Sequence, residues 1–311
     1  MQDIPFPTIV GLGEAVFDIF DDRSVLGGAP LNMAVCAHQL LSPFDGAGIV
    51  ASRVGADDLG RRLYRNLEER RMDTDFVQLD PDRPTGQVLV TIAEGDPSYE
   101  ICSPAAWDAL QFDRRFVALA SKCSAVCFGS LAQRSVMTRE AVERFLRNAS
   151  QALKLFDVNL RQDYFSEITI KRSLHLADAL KLNEHELVQI SQLLEMPDGR
   201  IEDSSWCDGQ CYALGETYNL EYVALTRGER GTVLYSDNAR HEMERVSYPQ
   251  HPEADSVGAG DAASAGLLLG HVLDWPTHRT LKLANHLGAF LASVPGATPT
   301  LCAKTLEMVS P

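Results

Sequence analysis

Strand-length apolar segments alternate with amphipathic helical segments along most of this chain, and that alternation limits the possible folds more than any other feature. The stretches TIVGLG, AGIVASRVG, SAVCFGS, LKLFDVN, ALKLN and YVALTRG each end in Gly or a polar residue and read as buried strands. Between them, DLGRRLYRNLEERRM, REAVERFLRNASQAL, KRSLHLADA and EHELVQISQLLEM carry helical spacing. Strand and helix in alternation imply a central, mostly parallel sheet flanked by helices. Such a sheet binds ligands beyond the C-terminal ends of its strands.

Two regions break the rhythm. VFDIFDDRSVLGGAP and TGQVLVTIAEGDPSYEICS read as strand pairs joined by turns, with no helix between them. They predict a small antiparallel β lid inserted at about residues 14–30 and 85–103. MPDGRIEDSSWCDGQ is the most loop-like stretch, and no repeat, low-complexity segment or linker divides the chain. The expectation is a single α/β domain over residues 1–311.

Charge and cysteine usage narrow the function. A net charge of −15 argues against nucleic-acid binding, which needs Lys and Arg gathered on one face. It does not argue against a phosphorylated ligand, because a few backbone amides bind phosphate locally. The N-terminal stretch has no basic region leading into an apolar core, and no uncharged apolar run is long enough to span a bilayer. A cytoplasmic protein with no membrane partner is expected. The 7 cysteines include two i, i+4 pairs, Cys123/Cys127 and Cys207/Cys211, without the second pair a zinc site needs, so they read as structural thiols.

The glycine-rich motifs compete. No Gly-Lys dipeptide occurs, which removes the P-loop. GAGDAA formally fits the dinucleotide fingerprint, but it follows the polar PQHPEADS instead of a buried strand, and no strand with a terminal acid follows it. GLGEAV fails too, because Val16 replaces the third glycine. A Rossmann dehydrogenase is therefore a poor fit. An anion hole fits better: the amides of Gly258, Ala259 and Gly260 would open a helix and face an anion with the helix dipole behind them. Asp261 in that first turn has a simpler rival reading, since acids favour helix N-termini. That rival leaves the glycines unexplained.

The stretch DSVGAGD, from Asp255 to Asp261, resembles the signature of the ribokinase-like (PfkB-type) carbohydrate kinases, with Ser256 where Thr is usual. GGAPLNMA, VGADDLG, NEHE and TRGERG resemble the family's other blocks, in order and across nearly the whole chain. GEAVFD, FGSLA and FDVNLR are most similar to fructokinase blocks, and D-x-N-x-R is shared with ketodeoxygluconate kinases. The resemblance implies a ribokinase-like fold and transfer of the γ-phosphoryl of ATP to a free sugar, D-fructose first.

It also implies roles for particular residues. Asp261 is the base, and the amides of Gly258, Ala259 and Gly260 stabilise the phosphoryl group. Asp18, Gly28 and Asn32 hold the sugar, while Arg161 is either a sugar-side or phosphate-side cation or a surface ion pair. Asn183 and Glu186 organise magnesium and phosphates through water; Glu186 alone also reads as an ordinary helix N-terminal charge. Thr226, Gly228 and Gly231 run along the nucleotide, and Asn285 lies on the adenine side or is simply a polar residue in a buried helix. Some relatives bind potassium nearby; Asp255, Val257, Gly296 and Thr300 are the matching positions, although VPGATP lacks the usual basic residue before Gly-Ala. Relatives often dimerise through the lid, so a homodimer is expected. The competing functions are a ketodeoxygluconate kinase, a nucleoside kinase and a catalytically silent nucleotide-binding regulator.

Overall fold

The computed structural model describes residues 6–93, 96–244 and 246–309. In chain order its strands and helices are β1 (Thr8–Leu12), β2 (Val16–Ile19), β3 (Ser24–Gly27), α1 (Ala29–Leu41), β4 (Ala47–Gly55), α2 (Asp58–Glu69), β5 (Val77–Asp80), β6 (Gly86–Ala93), β7 (Asp96–Ile101) and α3 (Arg114–Ala120). Then come β8 (Ala125–Phe128), α4 (Val136–Asn148), β9 (Leu153–Asp157), α5 (Glu167–Leu176), β10 (Ala179–Asn183), α6 (Glu184–Leu193) and α7 (Ser204–Tyr218). The chain closes with β11 (Tyr222–Thr226), β12 (Thr232–Ser236), β13 (Ala239–Glu242), α8 (Ala259–Val272), α9 (Thr277–Leu291) and α10 (Ala303–Glu307).

The large sheet has the order β13-β12-β11-β10-β9-β8-β1-β4-β5. From β5 to β11 every pair is parallel. Alternating side chains feed two cores. On β1, Ile9 enters the core shared with α1, α8 and α9, while Val10 and Leu12 enter the core shared with α4, α5 and α7. Gly11 lets α1 pass close: a Cβ there would lie 1.9 Å from the Pro30 carbonyl oxygen. This is the ribokinase-like α/β fold. It places the C-terminal ends of β1, β9, β10 and β11 beside the start of α8.

The second sheet, β3-β2-β6-β7, consists of two antiparallel hairpins. They join through a parallel β2–β6 pair, with Asp18 opposite Val88.

Other elements differ from the sequence reading. The stretch read as most loop-like contains the start of α7. Asp203 caps that helix by accepting from the amides of Ser205 and Trp206, and Cys207, Cys211 and Leu214 anchor it in the core. Helix α4 starts earlier than its periodic pattern and stops at Asn148, so the last residues of that pattern leave the helix and its final Leu153 opens β9. At one edge the parallel rule ends. Gly228 and Gly231, both with positive φ, turn the chain back so that β12 and β13 run antiparallel.

Candidate active site

One cavity of about 1280 Å³ lies between the C-terminal strand ends, the start of α8 and the small sheet. Asp261, Gly258, Ala259 and Gly260 line it, as do Asp18, Gly28, Asn32 and Arg161. So do Asn183, Glu186, Thr226, Gly228, Gly231 and Asn285. Residues as far apart in the chain as Asp18 and Asn285 are thereby gathered around one space, which no ordinary surface role for each would require.

The α8 terminus is built open. Gly258 caps it at φ 78 without a side-chain cap, and a Cβ there would lie 2.8 Å from the Ala297 carbonyl oxygen. The amide of Ala259 donates to the Ser256 carbonyl at 3.2 Å. Those of Gly260 and Asp261 have no backbone or side-chain acceptor among the described residues. Of the expected hole, the Gly258 and Gly260 amides have no acceptor among the described residues, while Ala259 is already bonded because the chain tightens into a turn before the helix; the Asp261 amide adds a further open donor. Asn32 Nδ2 donates to Asp261 Oδ2 at 2.8 Å. Burial, reinforced by Asp157, pushes the Asp261 carboxyl up to about 6, against Lys181, Asn32 and Arg161.

Across the cavity, Asp18 projects from β2 with no hydrogen-bond or ion-pair partner among the described residues, and burial raises its carboxyl. Arg161 donates to the Leu160 carbonyl at 3.0 Å and forms no salt bridge among the described residues. Its charge instead lowers Glu14, Asp18 and Asp261, so the surface-pair reading is not realised.

The other end is built closed. Asn183 Oδ1 accepts from the Glu186 amide at 2.9 Å, and Glu186 Oε2 accepts from the Asn183 amide at 2.8 Å. Glu186 Oε1 accepts from the Leu160 amide at 3.1 Å, which ties α6 to the Arg161 loop. With both oxygens engaged by amides, Glu186 fits a magnesium ion reached through water better than a direct ligand. Burial raises its carboxyl, with Lys181 opposing. Thr226 Oγ1 donates to the Leu182 carbonyl at 3.3 Å. Asn285 does two things: its Oδ1 accepts from the Thr232 amide at 2.9 Å, and its buried Nδ2 has no hydrogen-bond partner among the described residues.

The potassium positions separate. Asp255 Oδ1 accepts from the Val257 amide at 3.0 Å and Oδ2 from the Gly296 amide at 3.1 Å, which brings these three together. Thr300 is exposed and bonds to none of them. Gln39 holds its neighbours instead, donating to the Pro299 carbonyl and accepting from the Leu301 amide. Among the described residues no group of three or more His, Cys, Asp or Glu is arranged to hold a metal ion.

Sequence reasoning missed three residues of this site. Glu14 follows β1, and its Oε2 is buried without a hydrogen-bond partner among the described residues; burial pushes it up to about 7, against backbone amides and Arg161. Asp157 and Lys181 form a buried ion pair under Gly260. The available signal was a charged residue inside an apolar strand, in LKLFD and ALKLN.

A carboxylate beside an open helix terminus, facing a cavity that also holds a second carboxylate and a cation, suits phosphoryl transfer to an alcohol. The chain matches the pfkB family carbohydrate kinases over residues 10–304, and it belongs to that family. It is a carbohydrate kinase. It is 29% identical to a fructokinase of Salmonella typhimurium, over 93% of this chain and 94% of that protein. The solved fructokinase of Xylella fastidiosa with bound ATP superposes with a TM-score of 0.79 at 22% identity, covering 97% of this chain and 98% of that one. A 2-dehydro-3-deoxygluconokinase of Thermotoga maritima gives 0.78 at 16% identity, covering 97% of each chain. Among the described residues no helix is long and apolar enough to cross a membrane.

Proposed function

We infer that this chain is an ATP-dependent fructokinase. The observation that carries the chemistry is Asp261, oriented by Asn32 and placed next to the open amides of Gly260 and its own residue. Fructose is favoured over other sugars by the full-length similarity to fructokinases and by GEAVFD, FGSLA and FDVNLR. The Thermotoga enzyme's equal superposition means that the fold itself does not select the sugar.

In this reading Asp18 accepts hydrogen bonds from neighbouring sugar hydroxyls, and Gly28 leaves room for the sugar against the backbone. Asp261 takes the proton from the attacking hydroxyl as the hydroxyl oxygen bonds to the γ-phosphorus and the bond from that phosphorus to the β–γ bridging oxygen breaks, releasing ADP. The amides of Gly260 and Asp261, and the guanidinium of Arg161, stabilise charge on the phosphoryl oxygens. ATP lies along Thr226, Gly228 and Gly231, with the free Nδ2 of Asn285 offering a donor. Glu186 would hold magnesium through water, and the ion would supply neutralising charge to the phosphates. Asp255 with the Val257 and Gly296 backbone is the candidate for potassium that the hydrogen bonds draw together, with Thr300 as the fourth expected position. The ATP requirement favours the cytoplasm.

The small sheet acts as a lid and as a dimer surface. The outer edges of β3 and β7 have no strand partner among the described residues, and Leu89 and Tyr99 are exposed on it. Sedimentation showing only monomer at micromolar concentration would remove the dimer. The substrate test is ATP consumption against free sugars, sugar acids, nucleosides and sugar phosphates. Fructose should give the highest turnover; robust activity on ketodeoxygluconate or a nucleoside with none on fructose overturns the assignment. No activity on any of them, with nucleotide bound, would favour the silent regulator.

A further inference from the structure

Beneath the first turn of α8 lies a charge pair to which the reaction above gives no task. Asp157 on β9 and Lys181 on β10 are register partners across a parallel pair, so both side chains leave the same face of the sheet. They are only 4% and 6% exposed. Lys181 Nζ lies 3.0 Å from Asp157 Oδ1 and 3.1 Å from Oδ2. Ser264, one turn into α8, donates its hydroxyl to Asp157 Oδ2 at 2.8 Å. A Cβ on Gly260 would come within 2.9 Å of Lys181 Nζ, so the ammonium sits against the backbone that carries the open amides.

Stability does not explain such a pair. Taking two charges out of water costs as much as their attraction returns, and an apolar pair of similar volume packs equally well. An apolar pair has no charge with which to answer Asp261, however. We propose that Lys181, held by Asp157 and Ser264, is a positioning residue for Asp261: it supplies the cation beneath the base and fixes the start of α8 to the sheet. The inference rests on Asp261 being the base.

The surroundings make the sign definite. Around Asp261 stand Asn32 and Cys36 on α1, Cys127 on β8, Glu14 after β1, Arg161 after β9, and the pair itself. Both thiols stay neutral, because burial and the nearby carboxylates raise them, Cys36 to about 12. Of the two cations, Lys181 lowers Asp261 more than Arg161 does, and Asp157 is the strongest raising influence after burial.

The test is the pH dependence of kcat/KM for the sugar in wild type, K181M, D157N and the double variant D157N/K181M. Without Lys181, Asp157 stands uncompensated, Asp261 holds its proton to higher pH, and the acid limb moves up by about one pH unit. D157N leaves the lysine unopposed and moves the limb down by about as much. The double variant brings the limb back near wild type while its rate remains lower, because the Lys181 ammonium that holds Asp157 under the start of α8 is gone. Four superimposed limbs with rates lowered at every pH mean a packing role only, and overturn the proposal. Should K181M fail to fold, D157N decides alone: a limb that stays or rises is equally fatal. A wild type with no acid limb, together with full turnover in D261N, removes Asp261 as base and the proposal with it. Limbs that exist but do not move defeat the proposal alone.

Discussion

Two helices begin at the same cavity and end their backbones in opposite ways. At the start of α6 the Asn183–Glu186 capping box satisfies amides from both sides. At the start of α8 a left-handed glycine replaces the capping side chain, and two first-turn amides stay open. The first arrangement satisfies the Asn183 and Glu186 amides from within the chain, so that terminus offers those two donors to no ligand. The second leaves donors and the positive end of the dipole for a ligand. The contrast explains why Glu186 reads as an organiser at one remove and Asp261 as the reacting group.

The contrast breaks most visibly at Asp261. D261N keeps the side chain's shape, and turnover should fall by about 10²–10⁴-fold with sugar and ATP still bound. That loss is about 3–5 kcal/mol of barrier. Retention of more than about a tenth of wild-type turnover at saturating substrates removes it as the base.

Acid should act on the same carboxylate. Below about 6, where Asp261 takes up a proton, kcat/KM of the wild type should fall about tenfold per pH unit. Stability runs the other way. Asp261 is raised in the folded protein to about 6 and Glu14 to about 7. Their stabilising contribution is therefore complete only below the ordinary carboxylate range, and is lost as pH rises through those values. D261N should accordingly melt above the wild type at pH 8, as expected of a site that trades stability for function. A helix-dipole charge would predict a lower melting point, so thermal melts at pH 8 separate the two.

A backbone change comes next. G258A forces a Cβ into left-handed geometry, 2.8 Å from the Ala297 carbonyl oxygen. It should cost about 1–2 kcal/mol of stability and a comparable part of the rate. Denaturant unfolding that leaves stability unchanged would show that this terminus does not need glycine.

The smallest catalytic effect belongs to the closed terminus. N183A should lower stability by about 0.5–2 kcal/mol, the usual cost of a lost cap, with turnover changed only several-fold. A rate loss as deep as that of D261N would erase the distinction between the two helices.

Much of this was legible in the sequence, for identifiable reasons. DSVGAGD combines small residues with two acids, Asp255 and Asp261, and both the open terminus and Asp261 are local in the chain. Asn183 and Glu186 are a capping box three residues apart, equally local. Helix α1 was hidden because nearly all of it is buried, leaving no polar face to set a period. Helix α7 was hidden because its start is rich in residues that also favour loops, and only its packed Cys207, Cys211 and Leu214 decide the matter. The Asp157–Lys181 pair depends on the register of β9 against β10, which is a property of the sheet and of neither strand alone. Ala259 shows the finest limit. Which first-turn amide is open depends on one local turn that the motif does not specify.

The open amides of α8 are the claim on which the rest depends, and their ¹⁵N–¹H resonances report on them directly. Spectra of the wild type should be compared free and with fructose, ADP, magnesium and aluminium fluoride, which stands in for the phosphoryl group in transfer. The Gly260 and Asp261 amide protons should move strongly downfield as they acquire an acceptor, while the Glu186 amide, already bonded to Asn183, moves least. If the complex forms and Gly260 and Asp261 stay where they were, the phosphoryl group is held elsewhere and the account is wrong.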